Sequence, residues 1–203
     1  MAILAIQCEQ FGDTDKSALA TRFSLALVLH EQGDLDAARS EFEAVLASER
    51  EQLGDTHKST LTTRHERARV LQDQGHLDAA RSEFEAVLAI QREQFGDTHP
   101  DTLNTRESLC CVIYDQGQLD AARSEFEAVL AIEREQFGDH HPQTLNTWHV
   151  LACVLRDLGD LGAARTALES VLAARRELQG DDYELTRYAE DMLNGVIDAL
   201  GEP

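Results

Sequence analysis

One spacing governs what this chain can fold into: a recurrence every 42 residues. Glycines stand at Gly12, Gly54, Gly96, Gly138 and Gly180, each 42 after the last, and a second ladder runs Gly33, Gly75, Gly117, Gly159 and Gly201 with the same step. Between the ladders lie near-copies: LDAARSEFEAVLA begins at Leu35, Leu77 and Leu119 and relaxes to LGAARTALESVLA at Leu161. A period of a few tens of residues, held without a slip, marks a stacked array. Each unit in such an array is too small to bury its own apolar faces and must use its neighbours.

Each period reads as two helices. In 97–138, Pro100 suits a first helical turn, where its missing N–H would be unpaired anyway. Leu103, Leu109, Val112 and Ile113 then recur at helical spacing, and Gly117 provides a left-handed C-cap. The second helix starts near Leu119, with Asp120 at the positive end of the macrodipole. Its apolar stripe is Leu119, Ala122, Phe126, Val129, Leu130 and Ile132, and Gly138 closes it. Ala38, Ala80, Ala122 and Ala164 fall where helices must approach closely, with Phe42, Phe84, Phe126 and Leu168 supplying bulk one turn later. The expected fold is all-α, an α-solenoid (right-handed superhelix) of stacked antiparallel helix pairs.

The boundaries follow. The chain reads as one solenoid over 1–203, with a truncated second helix at 1–12, repeats at 13–54, 55–96, 97–138 and 139–180, and a C-terminal capping helix in 181–203. The short start resembles a second helix cut from the left, which favours a fragment of a longer chain. One core position breaks the pattern. Arg67 stands where the other repeats place Leu25, Leu109 and Leu151. A buried guanidinium is costly without a partner, so Arg67 must pair, reach outward or distort the helix.

The residues resemble the tetratricopeptide repeat family, whose pattern is W-x2-L-G-x2-Y followed by A-x3-F. The fourth repeat reads Trp148-x2-Leu151-Ala152-x2-Leu155, then Ala164-x3-Leu168; the third reads Arg106-x2-Leu109-Cys110-x2-Ile113, then Ala122-x3-Phe126. The 42-residue length and the GDxHPxTLNT linker are similar to repeats of the kinesin-light-chain type. HEAT and armadillo repeats share a similar period but usually need a proline kink or a third helix, and neither is evident. The resemblance implies a non-catalytic protein-binding scaffold within a larger signalling or regulatory protein, as in bacterial signalling chains that carry such arrays.

Net charge narrows the partners. Lys and Arg total 18 against 38 Asp and Glu, a formal charge of −20, which repels phosphate backbones and anionic lipid. Neither nucleic acid nor membrane is an expected partner; a protein or peptide is. No apolar run approaches a membrane span, the start lacks the features of a secretory signal, and Cys8, Cys110, Cys111 and Cys153 form no CxxC, so a reducing, cytoplasmic setting is expected.

Chemistry is sparse. His57, His99 and His141 repeat in the linkers, too far apart along a solenoid to share a metal, so they read as turn-fixing residues. Glu41, Glu83 and Glu125, with Glu43, Glu85 and Glu127, read as a solvated outer face paired locally with Arg39, Arg81, Arg123 and Arg165. No nucleotide-binding, hydrolase or metal-binding motif is present, so neither enzyme activity, metal nor cofactor is expected.

Binding is expected on the first helices, which line the concave side of such arrays. Their candidate stripes are Thr62, His65, Arg69, Gln72 and Asp73; Asn104, Glu107, Cys111, Tyr114 and Asp115; Asn146, His149, Cys153, Arg156 and Asp157; and in the first repeat Ala20, Phe23, Leu27, His30 and Glu31. These positions diverge between copies while the packing positions stay nearly constant. Asn104 and Asn146 could pair with a peptide backbone as donor and acceptor at once. A second reading is self-assembly into head-to-tail or swapped homo-oligomers through the apolar start, Ile3, Leu4, Ile6 and Phe11.

Overall fold

The computed structural model describes residues 16–201, and every described element is helical. The chain divides into two compact units, Met1–Asp97 and Thr98–Pro203. Ile3, Leu4, Ile6, Cys8 and Phe11 lie outside the described residues, as does the truncated helix expected over 1–12.

The first unit contains α1 (Lys16–Glu31), α2 (Leu35–Leu53), α3 (Lys58–Asp73) and α4 (Leu77–Phe95), each packed on the next. Ala38, Phe42, Ala80 and Phe84 are fully buried, as the repeat pattern requires. The Phe23 ring meets Phe42 edge-on, with centroids 5.5 Å apart. The second unit contains α5 (Pro100–Asp115), α6 (Leu119–Phe137), α7 (Pro142–Asp157), α8 (Leu161–Gln179) and α9 (Glu184–Leu200), again packed in succession. One continuous apolar core there joins Phe126, Val129, Ala152, Leu155, Leu168, Val171, Ala189 and Val196.

The turn inside each pair is short because one motif both ends and starts a helix. At Gly117 (φ +74°) the backbone N–H bonds to the Tyr114 carbonyl at 2.8 Å, and Gln118 N–H bonds to the Ile113 carbonyl at 3.1 Å. This is a Schellman closure, and its last residue is also the N-cap of α6. At the equivalent position, Asp34 and Asp160 accept hydrogen bonds from Ala37 N–H at 3.3 Å and Ala163 N–H at 3.2 Å. Gln118 makes no such cap bond. Gln118→Asp is therefore expected to stabilise the second unit by about 1 kcal/mol, read as a raised urea midpoint with unchanged slope.

Between pairs the turn differs. Gly138 adopts φ 85°, ψ 166°, a region that only glycine enters readily, and its N–H bonds to the Arg134 carbonyl. The next helix is then capped by histidine: Nδ1 of His57, His99 and His141 accepts the N–H of Ser59, Asp101 and Gln143 at 3.2, 3.1 and 3.3 Å. The repeated linker histidines are N-caps.

Candidate functional site

In the first unit Thr62, Arg69 and Asp73 are exposed along one face of α3. Thr62 Oγ1 donates to the Lys58 carbonyl at 3.1 Å, Arg69 pairs with Glu66 at 3.1 Å, and Asp73 meets His30 of α1 at 2.5 Å. Gln72 is half-buried. His65 does not belong to the exposed stripe. It is 5 % exposed and sits edge-on to Phe84 with ring centroids 5.2 Å apart. The reason is helical register: His65 lies four residues after Leu61 and three before Ala68, both buried, so it shares their inward row.

Beside Thr62 a cavity of about 830 Å³ opens between α1, α2 and α3. Leu19, Phe23, Val45 and Leu53 supply apolar walls, and Glu49 and Thr63 line it as well. Burial raises the Glu49 pKa, with Thr63 and His57 pulling it partly back.

In the second unit Asn104, Asp115 and Asn146 are exposed, while Glu107, Tyr114 and Arg156 are half-buried. The Tyr114 hydroxyl donates to Asp157 across from α5 to α7, the same bridge that joins His30 to Asp73 in the first unit. Arg156 Nε donates to Asp157 at 2.8 Å and holds its carboxyl below the usual range. Burial pushes the Tyr114 hydroxyl up, helped by its bond to Asp157. The Asn146 side-chain carbonyl is already engaged, accepting from Arg175 at 3.0 Å, while Arg175 also donates to the Leu185 carbonyl at 2.7 Å. His149, like His65, faces inward rather than outward: it is 6 % exposed and packs on the Tyr188 ring at 5.1 Å. Burial, with Arg175 and Arg156 nearby, lowers its pKa to about 4. Glu107 is pushed the other way, to about 7, by burial and by Glu133, with Thr147 opposing.

Two features escape a reading by local spacing. The first is a buried polar position on the second helices, filled by Glu49, Gln91, Glu133 and Arg175 at steps of 42. The second corrects the expected solvated outer face. Glu41, Glu83 and Glu125 reach across their own hairpins to Arg22, Arg64 and Arg106 at 3.4, 2.8 and 3.1 Å. Arg67 joins the middle pair, 3.3 Å from Glu83, which explains its tolerance at a core position. The detectable signal was compensation. The fourth repeat replaces both partners at once, with Trp148 and Ala167, and Trp148 carries the Arg134 guanidinium 4.4 Å above its ring. The glutamates at 85 and 127 do pair locally, with Arg81 and Arg123, both at 2.9 Å.

Cys110 is buried, Cys111 and Cys153 are half-buried, and none of the three is joined in a disulfide; burial raises the pKa of Cys110 and of Cys153. Among the described residues no three His, Cys, Asp or Glu side chains converge as a metal ion requires, and no helix is long and apolar enough to cross a membrane.

The tetratricopeptide repeat family model matches residues 16–93, 59–109 and 107–177. No curated protein matches the sequence. Among solved structures, the nearly identical TPR-like repeats of a kinesin light chain from Podosopora anserina are 28% identical, with a TM-score of 0.75 over 91% of this chain and 88% of that one. BtubC (BKLC) from P. vanneervenii shares the fold at 16% identity, with a TM-score of 0.79 over 99% of this chain and 80% of that one. The apo form of RapI shares it at 13% identity, with a TM-score of 0.72 over 98% and 74%.

Proposed function

The chain belongs to the tetratricopeptide repeat family, and on that premise we propose that it is a non-catalytic scaffold holding a peptide or partner segment against its first helices, within a larger signalling or regulatory protein. Repeats of this family generally mediate protein–protein interaction and are typically non-catalytic. The observation that carries the finer reading is the contrast between copies. The positions that pack helix on helix repeat almost unchanged and are buried, as at Ala38, Ala80, Ala122 and Ala164. Exposed first-helix positions are less uniform: Ala20, Thr62, Asn104 and Asn146 occupy one of them, although the position of Glu31, Asp73, Asp115 and Asp157 stays acidic throughout. Packing holds the first set in place and leaves the second available for recognition.

The supporting surface is narrower than the four stripes. Thr62, Arg69 and Asp73 form it in the first unit, and Asn104, Asp115, Asn146 and Asp157 in the second. Tyr114 and Arg156 act at its edge by fixing Asp157. His65 and His149 contribute packing.

Thr62→Arg combined with Arg69→Glu tests this. The Thr62 hydroxyl bonds only to its own helix, and the exposed Arg69–Glu66 pair is worth little stability, so the thermal midpoint should stay within a degree or two. Affinity capture from the source cell should return a protein that the wild type retains and the double variant loses by at least about tenfold. Equal recovery by both proteins would refute binding on this face.

A further inference from the structure

We propose that the cavity between α1, α2 and α3 receives a basic side chain, lysine or arginine, from the bound partner segment, with its cationic head against Glu49 and a neutral or acidic residue beside it. The inference rests on the reading of the array as a peptide-binding scaffold and names the chemistry of what it binds.

The floor of the cavity carries the first argument. Glu49 is only 9 % exposed, yet its Oε2 has no hydrogen-bond partner, although Thr63 and His57 adjoin the carboxylate. A buried carboxylate oxygen without a donor is costly, and a guanidinium or ammonium is the group that removes that cost most completely. The walls carry the second. Leu19, Phe23, Val45 and Leu53 offer an apolar channel for the methylene stem of a long basic side chain. A volume of about 830 Å³ accommodates such a side chain with part of the backbone that bears it. The chain's charge of −20 adds a long-range attraction for a basic segment.

The second unit supplies an internal comparison. Two periods on, Glu133 and Thr147 stand where Glu49 and Thr63 stand in the first unit, and Glu107 stands where Phe23 does. There the Glu107 carboxyl itself lies beside Glu133 and Thr147, so the protein's own first helix occupies the space with a like charge and leaves the Glu133 oxygens, like Glu49 Oε2, without a cationic partner. In the first unit Phe23 turns to Phe42 instead, which leaves the cradle open to a head from outside.

The mouth of the cavity sets the flanking condition. Lys16 and Lys58, the only lysines in the chain, line it together with His57. Their charge disfavours a run of basic residues and favours an acidic neighbour next to the inserted side chain.

The test uses the full chain and the capped peptide acetyl-Gly-Ala-Arg-Asp-Ala-Gly-amide, followed by backbone amide shifts in NMR titration. Saturable shifts are expected at Lys58, Thr62 and Thr63. Norleucine in place of the peptide's arginine, or Glu49→Gln in the protein, should weaken binding by at least about tenfold, and lysine in place of its aspartate by about fivefold. Glu49→Gln is a sound variant because Gln91 fills the same position one repeat later. Shifts located elsewhere, or equal affinity for the norleucine peptide or the Glu49→Gln protein, would overturn the proposal. If Thr62→Arg/Arg69→Glu abolishes partner capture while Glu49→Gln leaves both capture and peptide binding intact, the scaffold reading stands and the basic-side-chain pocket falls. If capture is indifferent to Arg69→Glu alone, a residue outside the cavity, but the peptide titration behaves as described, the pocket stands and the broader surface falls.

Discussion

Replacing Glu107 with Gln is expected to change how stability depends on pH, leaving it nearly unaltered near pH 4.5 and raising it by about 3 kcal/mol at pH 8 relative to the wild type. The folded pKa is about 7 against an ordinary 4.5, because the carboxyl is buried and faces Glu133. In the folded state Glu107 therefore keeps a proton that the unfolded chain has released. Its stabilising contribution is complete below pH 4.5 and is lost as pH rises through 7. A glutamine has no proton to lose, and near pH 4.5 it differs little in shape or polarity from the protonated acid. Burial raises the Glu133 and Glu49 pKa values in the same direction, so both proteins should also lose some stability from these retained groups as pH rises above 4.5. The readout is the difference between the two proteins in urea-unfolding free energy at pH 4.5, 6 and 8. Parallel profiles would show that Glu107 titrates as an ordinary surface glutamate. A carboxyl carbon shift for Glu107 with a midpoint near 7 would support the assignment independently of unfolding.

The array itself was legible because its constraints are local and repeated. A glycine at every helix end, an alanine at each close approach and a phenylalanine (leucine in the fourth repeat) one turn later each have one geometric role, and all recur at a fixed step. The candidate surface was less legible, for a reason specific to first helices in such arrays. A helix contacted by second helices on both sides leaves only a narrow exposed strip, and a step of three residues from Thr62 lands on His65, in the buried row of Leu61 and Ala68. Spacing by three and four finds a face but not its edge. The Arg64–Glu83 bridge was hidden for a different reason. Its partners are 19 residues apart on two helices, so no intrahelical rule connects them. Only the joint replacement by Trp148 and Ala167 in the fourth repeat betrays the link. Arg67 follows from the same bridge: a core arginine is acceptable where a carboxylate already reaches the hairpin seam.

The same lesson makes the buried His149 a quantitative test, since its titration runs opposite to that of Glu107. Burial and the nearby guanidiniums of Arg175 and Arg156 lower its pKa to about 4, from an ordinary 6.5. The folded protein thus excludes a proton that the unfolded chain binds. The stability this group contributes is present above pH 6.5 and disappears as pH falls through 4. His149→Phe keeps an aromatic ring against Tyr188 and has a precedent in Phe23 at the same repeat position. Relative to the wild type, this variant is expected to gain about 3 kcal/mol on going from pH 7.5 to pH 4, whatever its stability at neutral pH. Between pH 4.5 and 6.5 the proton that Glu107 takes up on folding balances the one that His149 gives up, so these two slopes cancel in the wild type. Each single variant exposes the slope of the other group, and Glu107→Gln combined with His149→Phe should remove both. If the histidine variant tracks the wild type from pH 7.5 to 4, then His149 is reached by solvent and the inward register of this row on α7 is wrong.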